Sequence, residues 1–292
     1  MALDHHAPPT NQQVKAYWEN GFLFPCPIFD AAEVSALRAE LEALEATWLD
    51  NGLPRPLNQY KRVNAHVVMP LACDIATDGR VLDVVERVLG PDIMIWSVEF
   101  FIKEPGTKSI VSMHQDLTYW GMGDTSDLVT AWIALSPVTK QSGCMGFWPG
   151  SHKNPILPHK DTFDADNLLS RGQEIAVDVP EADKVFAEIA PGQMSLHHGL
   201  MVHGSGPNVS DDRRIAVAIR YLNPNARQKI SAKDYAMLAR GVDHMQNFTP
   251  IGRPRGLFHP TDLALYDQIL KDQTAALAQG AAGSVEMYEG AG

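Results

Sequence analysis

The chain has 292 residues, 45% of them apolar and 20% charged, with a formal net charge of −11. That is enough apolar material for a large core, and the acidic balance excludes the basic face that nucleic acid or an anionic membrane surface would want. No apolar run approaches the ~20 residues of a membrane span. The N-terminal MALDHHAPPTNQQ has no apolar signal-like stretch, and Cys26, Cys73 and Cys144 are odd in number without metal-site spacing, so the expected location is the reducing cytoplasm.

Residues 1–12 read as a flexible tail, 13–19 as a helix and FLFPCPIF (22–29) as a strand. Asp30 is placed to cap a helix whose apolar stripe runs Val34, Leu37, Leu41, Leu44, Trp48. NGLPRPLNQ (51–59) reads as loop. The alternation in YKRVNAHVVM (60–69) predicts a strand with Arg62, Asn64 and His66 on one face and Lys61 on the other. An amphipathic helix follows over 80–90. From about 92 to 222 the pattern is β: IMIWSVEFFIK, LVTAWIAL, EIAVDV, VFAEIA, QMSLHH and RRIAVAIRYL, separated by Pro and Gly loops. Beyond 225, SAKDYAMLAR and DLALYDQILKDQTAALA predict two helices, and the last dozen residues a frayed end. Barrel folds of ~200–250 residues commonly form one domain. The expected architecture is therefore a single domain over 1–292, mainly β with surrounding helices: a jelly-roll barrel over 60–222 and a helical segment over 225–280.

The chemistry gathers at SMHQDLTYWGM (112–122). On a strand, residues two apart share a face, so His114 and Asp116 point to one side. Two histidines and one carboxylate on one face of a metal form the facial triad of non-haem Fe(II) oxygenases, with positions left open. The second histidine has to come from SLHHGLMVH: His197 or His198, of which one can face inward, or His203. A cosubstrate carrying a distal carboxylate needs a planar cation. Arg213 or Arg214, opening the next strand, offers one. The other would pair with Asp211 and Asp212 in solvent. Tyr119 and Trp120, just past the ligands, are candidates for the substrate wall.

HQDLTYW (114–120), AWIAL (131–135), GCMGFWPGSHK (143–153) and HGSGPNVSDDRRIA (203–216), with VLGPDIMIWSVEFFIKEPG ahead of them, resemble the phytanoyl-CoA dioxygenase family of Fe(II)/2-oxoglutarate-dependent oxygenases. The resemblance implies a double-stranded β-helix. It implies His114, Asp116 and His203 as ligands of Fe(II), and Arg214, eleven residues after His203, as the partner of the 2-oxoglutarate C5 carboxylate. Ser205 would share that carboxylate, and Trp132 would line the cosubstrate pocket. Arg62 matches a basic residue near the cosubstrate in the family's founding member, so it is expected either there or, with Asn64 and His66, against the substrate. Halogenating relatives replace the carboxylate ligand; Asp116 is present, so the resemblance implies hydroxylation or another oxidation with O2, not halogenation. The expected substrate is a small polar molecule, anionic or zwitterionic, with an aminoalkylphosphonate as one concrete candidate. Two other readings remain: a metal-dependent cupin-like enzyme without 2-oxoglutarate, and a non-catalytic metal-binding barrel. Oligomeric state is not readable from the sequence.

Overall fold

The computed structural model describes residues 7–277, apart from 51, 119, 163, 165, 170 and 171. Helix α1 (Asn11–Asn20) leads into β1 (Phe22–Pro27), α2 (Ala31–Trp48) and α3 (Leu57–Arg62), then α4 (Pro70–Ala76) and α5 (Gly79–Leu89). The strands follow: β2 (Ile93–Lys103), β3 (Val111–His114), β4 (Leu128–Ala134), β5 (Met145–Phe147), β6 (His159–Asp161), β7 (Gln173–Ile175), β8 (Val185–Phe186), β9 (Gln193–His198), β10 (His203–Ser205), β11 (Arg214–Leu222), β12 (Tyr235–Arg240) and β13 (Thr249–Pro250). Helix α6 (Pro260–Leu277) closes the described chain. A seven-stranded sheet, ordered β1-β9-β4-β11-β2-β12-β13, faces a four-stranded sheet, β3-β10-β5-β8, in the jelly-roll manner.

The large sheet has two chemically different faces because strand side chains alternate. Val98, Phe100, Ala131, Ile133, Leu196, Ile215, Val217 and Ile219 belong to one core with the apolar sides of α2, α4, α5 and α6. The other face is lined, in register, by Lys103 beside Arg214, Glu99 beside Ala218 and Trp132, and Ser97 beside Arg220 and Thr130. His197 pairs with Thr130 and continues that face onto β9. The helices therefore cover the apolar face, and the cavity opens on the polar one.

Local signals set the helix starts. Asp30 caps α2 as expected, accepting from the Ala32 and Glu33 backbone N–H groups at 2.8 Å each. Thr10 and Gln13 form a capping box for α1, so the helix begins at Asn11, inside the expected tail; residues 1–6 lie outside the described residues.

Several expectations are corrected. YKRVNAHVVM is not a strand. Arg62 ends helix α3, Asn64 turns the chain in the left-handed region (φ 48°), and Ala65–Val67 form a 3₁₀ turn. Every position from Tyr60 to Met69 is buried, so polar alternation could not report a face; the shared-face case for Arg62, Asn64 and His66 fails with it. SAKDYAMLAR is not a helix either: Tyr235–Arg240 pairs antiparallel with β2, and its Tyr235 and Met237 enter the core. The described part of the expected helical segment, 225–277, is thus strand plus helix, and the expected frayed end lies outside the described residues. EIAVDV and VFAEIA shorten to Gln173–Ile175 and Val185–Phe186, and the expected loop 51–59 already turns helical at Leu57.

Candidate active site

His114 ends β3 directly opposite His203, which opens β10. Gly204 makes this approach possible: a Cβ there would lie 2.7 Å from the Val111 carbonyl oxygen. The chain leaves the strand after His114, and Asp116 starts a 3₁₀ turn over Asp116–Thr118. The turn still brings its carboxylate beside the imidazole, with Oδ1 3.4 Å from His114 Nε2 and 4.0 Å from His203 Nε2. One donor atom from each of the three residues lies within 4.8 Å of the others, and all three residues are buried.

The hydrogen bonds fix which atoms face the centre of this cluster. His114 Nδ1 donates to the Ser112 carbonyl and His203 Nδ1 to the Met201 carbonyl, both at 2.9 Å. A carbonyl only accepts, so both Nδ1 atoms carry a hydrogen and the Nε2 atoms are the ring nitrogens turned toward the centre. Burial, with His114 and His197 nearby, holds the His203 pKa well below its ordinary value, which keeps the ring neutral. Asp116 Oδ2 accepts from Thr130 Oγ1 at 2.8 Å. Two imidazole nitrogens and one oriented carboxylate are the donor set of a facial-triad iron.

At one end of the cavity Arg214 is buried (1% exposed). Its Nη1 donates to the Gly143 carbonyl at 2.9 Å, while Nε and Nη2 have no partner among the described residues. Its guanidinium carbon lies 5.2 Å from the Trp132 ring centre and 5.5 Å from that of Phe101. Burial, with Arg62 nearby, pushes its pKa down to about 9. A buried cation with two unsatisfied N–H groups fits a carboxylate. Arg62 stacks on the same Phe101 at 4.5 Å, donates to the Leu168 carbonyl at 3.0 Å and has Nε 4.0 Å from Glu99. Ser205 also lines the cavity, with Lys103 donating to its Oγ at 2.8 Å. Arg213, opposite in strand parity, turns away to Glu45 and Glu104. Those two carboxylates take the place of the expected Asp211 and Asp212, and Asp212 binds Arg38 instead.

At the other end stand Trp96, Trp120, Glu99, Arg220, Gln228 and Gln273. Of the residues expected against substrate, Arg62 and Trp120 line the cavity. Tyr119 lies outside the described residues. Asn64 donates to Gln273 at 2.7 Å and reaches the wall only through it, and His66 is buried in the core away from the wall. Of the adjacent histidines, His197 faces the site, with Nε2 3.4 Å from Asp116 Oδ2. His198 packs between Trp18 and His152. Sequence reading misses Thr130, Lys103, Glu99 and Arg220. Strand parity from Trp132 and Arg214 carries the signal for Thr130 and Arg220, and the alternation Glu99, Phe101, Lys103 for the others.

The model of the family described as phytanoyl-CoA dioxygenase (PhyH) matches residues 17–216. The peroxisomal phytanoyl-CoA dioxygenase of Bos taurus is 27% identical over 237 residues, 73% of this chain and 68% of its own length. A probable alpha-ketoglutarate-dependent hypophosphite dioxygenase of Stutzerimonas stutzeri is 23% identical over 239 residues, 77% of this chain and 82% of its own. Among solved structures, the non-heme monooxygenase ThoJ in its apo form superposes with a TM-score of 0.82 at 32% identity, covering 91% of this chain and 98% of that one. With the matched residues spanning both histidines, Asp116 and Arg214, the chain belongs to the phytanoyl-CoA dioxygenase family of Fe(II)/2-oxoglutarate-dependent oxygenases.

Proposed function

We propose that this protein hydroxylates a C–H bond of a small polar metabolite, anionic or zwitterionic, with an aminoalkylphosphonate as the first candidate. His114, Asp116 and His203 hold Fe(II). Arg214 and Ser205 grip the far carboxylate of 2-oxoglutarate, beside Trp132. Bound iron and 2-oxoglutarate supply the oxidising chemistry: O2 is consumed, 2-oxoglutarate leaves as succinate and CO2, and one oxygen atom goes to the substrate carbon. The chain's own share is placement. The Ser112 and Met201 carbonyls aim the imidazoles, Thr130 aims the carboxylate, and the buried walls keep water from the reacting atoms.

One observation carries this reading: the two unpartnered N–H groups of buried Arg214, in the same cavity as the His-Asp-His cluster. Arg62 shares Phe101 with Arg214, which favours the cosubstrate end for it over the substrate end. The polar far wall, with Glu99, Gln228 and Gln273, favours a polar substrate. A relative named for hypophosphite, a small phosphorus oxyanion, favours a phosphorus acid. The three cysteines are buried and unpaired, in keeping with work in the reducing cytoplasm. The test is 2-oxoglutarate turnover over a panel of small zwitterions and phosphonates, read as succinate. Iron-dependent succinate that rises with one of these compounds supports the reading; no succinate at all contradicts it.

A further inference from the structure

Arg214 and Arg220 sit on the same face of β11, six residues apart, which at about 3.3 Å per residue separates them by roughly 20 Å. Between them that face carries only Ala216 and Ala218, so the strand presents two guanidinium groups with open space between. Arg220 pairs in register with Thr130, the residue that holds Asp116. It therefore stands level with the metal cluster, on the side away from Arg214.

Arg220 is held in place. Its Nη2 bonds Glu99, which is itself buried (5% exposed). Its guanidinium carbon lies 5.3 Å from the Trp120 ring centre. Trp120 packs on Trp96 at 5.1 Å between centres, and Trp96 is pinned by its Nε1 donating to Asp234 at 2.9 Å. Gln228 and Gln273 donate to the same carboxylate. A fixed cation therefore stands beside two fixed aromatic rings, all three on the cavity wall.

Charge decides what fits there. Three arginines line the cavity, Arg62, Arg214 and Arg220, against two carboxylates, Glu99 and Asp116. The iron dication and the 2-oxoglutarate dianion cancel each other, leaving a net positive charge on a buried wall, larger by one when Lys103 beside Arg214 is protonated. An uncompensated buried charge is costly, and a substrate of net negative charge offsets it.

We propose that Arg220, oriented by Glu99, seats an acidic group of the substrate, and that the cavity takes small acids of net negative charge whose carbon skeleton packs on Trp96 and Trp120. This rests on the Fe(II)/2-oxoglutarate reading above and adds to it where the substrate binds and what charge it carries. A guanidinium grips carboxylate, sulfonate and phosphonate oxygens alike, so the acid type is left to the experiment.

The test uses the full chain with Fe(II), 2-oxoglutarate and O2. Carboxylates, sulfonates and phosphonates of two to six carbons are compared with their methyl esters, reading succinate above the substrate-free background. Stimulation is expected from acids and not from esters. Arg220→Gln should lower kcat/KM for the best acid at least thirtyfold, while the anaerobic Fe(II)–2-oxoglutarate band still forms at wild-type concentrations. Arg220→Lys should recover part of the loss. If Arg220→Gln is insoluble, Glu99→Gln serves instead, with an expected rise in KM for the acid and an unchanged band. Esters stimulating as well as acids, no acid stimulating, or the best acid turned over normally by the variants would each overturn the proposal and mark the Arg220–Glu99 pair as a structural ion pair. A wild-type protein that gives no band would overturn the cosubstrate reading itself, and the proposal with it.

Discussion

Lys103 Nζ contacts three oxygens at once: Ser205 Oγ at 2.8 Å, the Ser205 carbonyl at 3.3 Å and the Gly206 carbonyl. Burial, with Arg214 and Arg62 nearby, pulls its pKa down to about 6. Neutral, the amine can give its two hydrogens to the two carbonyls and accept from the Ser205 hydroxyl. Charged, it can only donate, and the serine hydrogen is released toward the cavity.

The first prediction follows from that exchange. A carboxylate arriving beside Ser205 favours the charged lysine, so above pH 6 cosubstrate binding takes up a proton. The sign is fixed: affinity falls as pH rises above about 6, by at most about tenfold per unit for one linked proton. Calorimetry at pH 8 in two buffers of different ionisation enthalpy reads the proton directly. Lys103→Met should abolish the uptake and weaken 2-oxoglutarate binding about tenfold; uptake that survives in the variant would assign the proton elsewhere.

Arg214 and Arg213 differ in burial and partners, and so should their variants. Arg214→Ala is expected to raise the 2-oxoglutarate KM thirtyfold or more, the scale of about 2–5 kcal/mol for truncating one partner of a buried charge pair. Arg213 is bound to Glu45 and Glu104 with its side chain 22% exposed, and surface ion pairs contribute only about 0–1 kcal/mol. Arg213→Ala should leave KM within about threefold. Equal shifts in the two variants would contradict the assignment.

Strand parity makes this difference legible in the sequence itself. Arg214 and Trp132 are readable because β11 and β4 are long and regular, and the same alternation extends to Arg220 and Thr130. Asp116 is also readable, though a 3₁₀ turn rather than a strand brings it beside His114. The stretch from Arg62 to His66 is not, because burial on all sides removes the polar alternation that marks a strand face. There Lys61 is neutralised by Glu45, and the turn at Asn64 depends on a left-handed backbone that no spacing announces. Tyr235–Arg240 has a spacing that suits helix or strand, and only the open edge of β2 decides between them.

His66 tests the corrected region. Both its ring nitrogens lack partners among the described residues, and burial pushes its pKa down to about 3. Between about 3 and the ordinary 6.5 the unfolded chain binds a proton that the folded chain does not, so this residue costs stability as pH falls through that window, on the order of 5 kcal/mol across it. His66→Leu should leave turnover unchanged, match or exceed wild-type stability at pH 7.5, and lose less stability between pH 6.5 and 4 in denaturant titrations. A collapse of activity with normal stability would return His66 to the substrate site.

The metal assignment is tested most directly by anaerobic titration of Fe(II) and 2-oxoglutarate, following the visible charge-transfer band. Wild-type protein should give a saturable band. His203→Ala and His114→Ala should give none, His198→Ala should match wild type, His197→Ala should keep its iron, and Arg214→Ala should need at least thirtyfold more 2-oxoglutarate to reach the same band. A full-strength band in His203→Ala, or its loss in His198→Ala, would contradict the His114–Asp116–His203 centre.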